Sequence, residues 1–212
     1  MPPQERWNHN NHYHDLLIGH VGAGCECVLD VGCGHGFFAA RLAEVAGHVD
    51  AIDLDRHVVR EASRLHPSAR IDFRQADFLT VQLPAGHYDA VTSIACLHHM
   101  DLAAALREAR RVLCPGGRLV VLGLYRETSL ADYAISSMAV PANLLHSMVR
   151  PGRGHGRDMT APICAPSLSL PEIRTVVSSL LPGATLSRRL YWRYSLVWQK
   201  PLRAAHQSEA AR

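Results

Sequence analysis

The feature that most constrains this chain is a short apolar run that stops on glycines. Cys27-Val28-Leu29-Asp30-Val31 has the composition of a buried strand, and Gly32, Gly34 and Gly36 follow it at alternate positions. A strand that ends this way must turn sharply, and bare main chain at the turn leaves room for a ligand. Residues 37–46 then read as a helix with Phe38, Leu42, Val45 and Ala46 facing inward. Strand, glycine turn and helix open a β-α-β unit, and such units build parallel sheets covered on both faces.

The same rhythm continues down the chain. Residues 48–54 predict a second strand, and 56–65 a helix that ends before Pro67. Residues 70–74 and 88–95 predict two more strands, and 102–113 a helix closed by Pro115-Gly116-Gly117. Residues 118–124 predict a fifth strand. After Tyr125 the alternation breaks, with an apolar helical stretch at 130–149 followed by a loop rich in Gly, Arg and Pro. A helix at 171–181 carries Pro in its first turn, and two strand-like runs, 184–190 and 194–199, close the chain as an antiparallel hairpin. The expected organisation is one domain over 1–212: an N-terminal cap (1–24), a core (25–124), an insert (125–170), and the last helix with its hairpin (171–200).

Composition removes several classes. An apolar fraction of 48% supports a buried core, and a formal charge of +3 is too mild to imply nucleic-acid or membrane binding. No stretch approaches the roughly 20 apolar residues that span a bilayer. The polar start MPPQERWNHNNHYH lacks the apolar centre of a signal peptide, so a cytoplasmic protein is expected. The six cysteines form no disulfide framework, and Cys25 and Cys27 lack the second pair of a zinc site, so free thiols are expected.

Asp53 ends the second strand 23 residues beyond Asp30, a fitting distance for a carboxylate that grips ribose hydroxyls. A dinucleotide loop would space its glycines as G-x-G-x-x-G and seat pyrophosphate on a helix N-terminus. Here they run G-x-G-x-G with an acid just before them. That acid would repel pyrophosphate but attract the amino group and sulfonium of S-adenosylmethionine, so the balance favours methyl transfer over hydride transfer.

Residues 26–124 resemble the core of the class I S-adenosylmethionine-dependent methyltransferases, in particular the small-molecule branch of ubiquinone/menaquinone type. The match runs through ECVLDVGCGHGFFAARLA, AIDLD, QADF, YDAVTSIACLHHM and LREARRVLCPGGRLVVLGL. The resemblance implies a Rossmann-like, doubly wound α/β fold with a seven-stranded sheet, mostly parallel with one antiparallel C-terminal strand. It also implies that Asp30 and the main chain at Gly32 and Gly34 hold the methionine moiety. Asp53 would accept the ribose hydroxyls, and Leu54 would pack on adenine. Asp77 would take the adenine amino group beside Phe78, and the chain at Ser93 and Ile94 would pass near the sulfonium. S-adenosylhomocysteine would be the product. Asp77 could instead cap a short helix, and Phe78 could be ordinary core.

Methyl transfer to a protic acceptor also needs a base, and histidine titrates in the right range. His98 and His99 follow the fourth strand at the ligand end of the sheet, as catalytic candidates or as capping and core residues. On an N-terminal helix His9 and His12 would share a face, with Tyr13 one turn from His9. That stretch would line the active site or form a solvated tail; a metal site is disfavoured because no acid lies nearby. Tyr133, Met138 and Leu145 in the insert would form an apolar wall for a small acceptor, or a homodimer face. The run Ser93-Ile94-Ala95-Cys96 is not the Asn/Asp-Pro-Pro-aromatic run of base and glutamine methylation. The expected reaction is methyl transfer to a small, partly apolar molecule, with oxygen first among acceptor atoms. A macromolecular methyltransferase and a non-catalytic cofactor-binding protein are the alternatives.

Overall fold

The strands pair into one seven-stranded sheet in the order β3-β2-β1-β4-β5-β7-β6, in a computed structural model that describes residues 10–127 and 165–202. The strands are β1 Cys25–Val31, β2 Ala46–Asp53, β3 Ile71–Gln75, β4 Tyr88–Ile94, β5 Leu113–Leu124, β6 Thr185–Arg189 and β7 Arg193–Gln199. The helices are α1 His14–Val21, α2 Phe37–Leu42, α3 Arg56–Leu65, α4 Leu102–Val112 and α5 Leu170–Leu180. Strands β1 to β5 run parallel, while β7 lies antiparallel to both β5 and β6. One reversed strand in seven is the arrangement expected from the sequence.

Burial follows from strand alternation. Val28 and Leu29 are both fully buried because successive side chains leave opposite faces of the sheet. Val28 packs in a cluster with Leu17 and Val21 of α1 and with Phe38 and Leu42 of α2. Leu29 belongs to the cluster holding Leu106 and Val112 of α4, Ile173 of α5 and Trp198 of β7. Three helix starts are capped by side chains. Asp55 accepts from the His57 and Val58 amides at α3, and Asp101 accepts from the Ala104 amide at α4. Ser169 and Glu172 form a capping box at α5.

Three boundaries differ from expectation. Helix α2 ends at Leu42, and Ala46 already pairs with Cys25 in the sheet. Ala46 is apolar because it sits in a buried strand, not on a helix face. Pro115-Gly116-Gly117 lies inside β5 instead of closing α4, as an irregularity between the Tyr88 and Ala90 pairings. The Gly116 amide donates to the Lys200 carbonyl, and the Lys200 amide to that of Gly117. The last hairpin turns at residues 190–192, with Tyr191 and Trp192 at φ 62° and 59°. Two consecutive left-handed residues match the right-handed twist of the strands they join, at a cost of about 1–2 kcal/mol each.

Two features place the ligand end of the molecule. The chain reverses direction across the sheet between β1 and β4, the switch point where open α/β sheets bind ligands beyond their carboxyl ends. Because β7 is reversed, its first residue, Arg193, lies opposite Leu124 at that same end. Helix α1 runs down the sheet from there. The Tyr13 hydroxyl donates to the Leu190 carbonyl at the top, and the Arg118 guanidinium donates to the His20 and Val21 carbonyls at the bottom. No described helix is long and apolar enough to cross a membrane.

Candidate active site

The loop after β1 uses its three glycines for three different purposes. Gly32, Gly34 and Gly36 all have positive φ (73°, 53° and 80°), which favours glycine. The Gly32 and Cys33 amides donate to the Ile52 carbonyl at 2.8 and 3.0 Å and lock the loop onto β2. A Cβ on Gly32 would run into Cys96, and one on Gly36 into the Phe73 ring. A Cβ on Gly34 would meet nothing within 4 Å. Gly34 is thus the member of the three whose bare side opens to a ligand.

Asp53 stands beside that opening. Its Oδ2 accepts the Gly34 amide at 2.9 Å, and its Oδ1 accepts the Asp55 amide at 3.0 Å. Each carboxylate oxygen keeps a further lone pair for a hydroxyl. The next residue, Leu54, is 69% exposed, an apolar surface suited to a flat ring laid over it. Asp77 is exposed, and its Oδ1 accepts the Leu79 amide at 2.9 Å. Asp77 therefore caps a turn, which leaves lone pairs for a second partner. Phe78 is buried in the core cluster.

Asp30 is nearly sealed, at 2% exposure, and accepts the Thr92 hydroxyl at 2.8 Å. Burial, with the nearby Asp53 charge acting in the same direction and the Thr92 hydrogen bond against it, pushes its carboxyl up to about 7. A cation placed against Asp30 would restore the ionised form. The ammonium and sulfonium of S-adenosylmethionine are such cations, so the residues present fit that cofactor. Beside Asp30 the Ser93 hydroxyl donates to the Val31 carbonyl at 3.0 Å, and Ile94 pairs with Leu122. Ala95 turns the chain away at φ 50°, a left-handed conformation for a residue with a side chain.

His98 and His99 form a short 3-10 turn with Leu97, their rings 4.0 Å apart. The Nδ1 of His98 is buried without a hydrogen-bond partner. Burial first, then the positive charges of His99 and Arg193, lowers its imidazole to about 4, so it is neutral near pH 7. With Leu124, Ser167 and Tyr194, His98 lines a cavity of about 20 Å³, room for one water-sized group.

The N-terminal segment, from Asn10 onward, is docked and is not a solvated tail. His12 is exposed, with its ring edge-on to those of Tyr13 and Tyr191 at 4.8 and 5.8 Å. Tyr13 is buried, its hydroxyl engaged by Leu190. His9, Tyr133, Met138 and Leu145 lie outside the described residues. Near the two ends of the insert, the Arg126 amide donates to the Leu168 carbonyl at 2.8 Å, just beyond β5.

Two residues here escaped the sequence reading. Arg193 is buried, donating from Nη2 and Nε to the Asn10 amide oxygen at 2.6 and 3.1 Å. His14 is buried 4.8 Å from the Phe38 ring, and burial with the Arg41 charge lowers it to about 4. Among the described residues no group of three His, Cys, Asp or Glu side chains could hold a metal ion.

Residues 29–121 match the family described as a methyltransferase domain. An uncharacterized methyltransferase of Mycobacterium tuberculosis is 38% identical over 207 residues, 92% of this chain and 98% of its own length. The chain belongs to the class I S-adenosylmethionine-dependent methyltransferases. A ubiquinone biosynthesis O-methyltransferase of Xanthomonas campestris pv. campestris is 34% identical to this methyltransferase over 154 residues, 70% of the chain and 62% of the relative. The N-methyltransferase NodS of Bradyrhizobium japonicum, solved with S-adenosylhomocysteine, shares the fold with a TM-score of 0.59 at 16% identity. That likeness covers 90% of this chain and 87% of NodS.

Proposed function

We propose that this methyltransferase uses S-adenosylmethionine as donor and methylates a small, partly apolar organic molecule, with oxygen the leading acceptor atom. The observation that carries the donor is the opening at Gly34, flanked by the buried Asp30 and by Asp53. When bound, the donor supplies an electrophilic methyl group on a sulfonium, and S-adenosylhomocysteine is left behind.

The chain's own residues then bind, orient and take up a proton. Asp30 neutralises the cationic end of the donor. Asp53 holds the ribose hydroxyls while its bond to Gly34 fixes the loop. Leu54 covers one side of the adenine, Asp77 and Phe78 border its edge, and the chain at Ser93 and Ile94 walls the sulfonium side. Alignment of this kind can contribute on the order of 7–11 kcal/mol to a bimolecular step. His98 and His99 stand at the end of β4 as acceptors for the proton of the methylated group. His98, neutral near pH 7, has one ring nitrogen that carries no proton and can take one. His9, His12 and Tyr13, with Tyr133, Met138 and Leu145 of the insert, complete the acceptor side in this reading. Oxygen is supported by the Xanthomonas relative, named for O-methylation.

Incubating the purified protein and cell extract with S-adenosylmethionine labelled on its methyl group tests both halves. Label is expected in the small-molecule fraction. Label that follows RNA or protein would overturn the acceptor class, and failure to bind S-adenosylmethionine at all would overturn the donor.

A further inference from the structure

Arg193 is a buried cation without a matching anion. It is 8% exposed and makes no ion pair with a carboxylate of the described residues. Its partners are neutral: Asn10 Oδ1 accepts from Nε and Nη2, and the Tyr191 carbonyl accepts from Nη1. A guanidinium has five N–H donors, so one on Nη1 and one on Nη2 remain. They form the kind of fork that fits a carboxylate. Taking a guanidinium out of water without a counter-ion is costly, and folds keep such groups where an anion arrives.

Its position says which anion. Arg193 opens β7 opposite Leu124, at the carboxyl end of the sheet. The register sets Asp30 level with Val197, which carries Arg193 roughly 13 Å farther along toward the carboxyl end. Strands β4 and β5 separate β7 from β1, so Arg193 also lies three spacings of about 4.8 Å, roughly 14 Å, across the sheet from the line of Asp30. That is the side of the sheet away from the donor's cationic end. The surroundings on its own face are aromatic, with Tyr13 and Tyr191 buried in one cluster, while Leu97, Ile173 and Tyr194 line the small cavity that His98 shares on the other face. His98 lies within the field of Arg193.

We infer that the methyl acceptor carries a carboxylate on an apolar body, and that Arg193 is the residue that selects it. The inference rests on the methyltransferase reading above. An acid seated on Arg193 would lay its apolar body beside Tyr13 and Tyr191 and point its methylated group across the end of the sheet toward His98. The same anion would relieve the positive field on His98 and make it a better proton acceptor.

Calorimetry on protein saturated with S-adenosylhomocysteine tests this, with 4-hydroxyphenylacetate and its methyl ester as probes. The acid is expected to bind at least tenfold more tightly than the ester. Arg193→Gln should abolish that preference and leave S-adenosylhomocysteine affinity unchanged, Arg193→Lys should keep part of it, and Asn10→Ala, which removes a neutral partner and leaves the cation in place, should keep it. An ester that binds as well as the acid, or no binding of either, overturns the inference even if Arg193→Gln fails to fold. So does an acid preference that survives Arg193→Gln or disappears equally in Asn10→Ala. A loss of S-adenosylhomocysteine binding in Arg193→Gln would move the residue to the donor. Wild-type protein that binds no S-adenosylhomocysteine would instead refute the methyltransferase reading beneath it.

Discussion

Replacing Asp30 by Asn should act in opposite directions on the free protein and on its complex. In the fold the Asp30 carboxyl is raised from 3.8 to about 7, burial being the main cause. Between those values the native protein holds a proton that the unfolded chain has released. Stability therefore falls as pH rises from about 4 to about 7 and levels off above. The ionised side chain thus costs the fold roughly 4 kcal/mol at pH 8. Asn keeps an oxygen for Thr92 and carries no charge, so Asp30→Asn should melt higher than wild type at pH 8. The two should converge toward pH 4. Binding responds the other way, because only the ionised carboxylate neutralises a cation. With a value of about 7, the ionised fraction grows about tenfold from pH 6 to pH 8. The affinity of wild type relative to the variant should grow by about that factor. Taking the ratio cancels the titration of the ligand's own amino group. Thermal melts across pH, with calorimetry in buffers of different ionisation heat, read both effects. A variant less stable at pH 8, or an affinity ratio flat from pH 6 to 8, would refute the role given to Asp30.

Two further perturbations separate folding from binding. Gly34→Ala should lose only the roughly 1–2 kcal/mol of a left-handed side chain, yet weaken S-adenosylhomocysteine binding at least tenfold. Gly32→Ala should destabilise far more and be partly rescued by Cys96→Gly; equal stability losses at the two glycines would contradict the open face at Gly34. His14 is neutral in the fold down to about 4, whereas the unfolded chain takes up its proton below 6.5. The stability it contributes above 6.5 is therefore lost as pH falls toward 4, about 2 kcal/mol of it between pH 7 and pH 5. His14→Gln should flatten that part of the acid limb in urea melts, and an unchanged slope would show that His14 titrates normally.

What the sequence made legible was local. The run from Cys27 to Gly36 contains its own strand and its own turn, and Asp53 sits one β-α-β repeat beyond it, so loop and acid could be paired by spacing. Position 46 was harder, because an alanine is equally apolar on a helix face and in a buried strand. Pro115-Gly116-Gly117 carries the marks of a helix stop, but Lys200, more than eighty residues away, draws it into a strand. Gly32, Gly34 and Gly36 look alike in sequence, and only their neighbours Cys96 and Phe73 show that one of them faces the opening. Nothing local distinguishes Arg193 from any arginine in a strand. Its significance comes from burial beside Asn10, which no periodicity encodes.

The tie between Asn10 and Arg193 has a consequence for how the protein is made. The two residues are 183 positions apart, and the Tyr13–Leu190 bond spans 177. Contacts of such separation form late, after shorter loops have closed. The glycine loop, β2 and β4 can assemble while the hairpin is still unmade. The bonds that tie Asn10 to Arg193 and Tyr13 to Leu190 wait until the hairpin and β7 are in place. A nascent chain therefore acquires the means to hold its donor well before it can seat an acceptor, so any intermediate that stalls there should bind cofactor and transfer nothing.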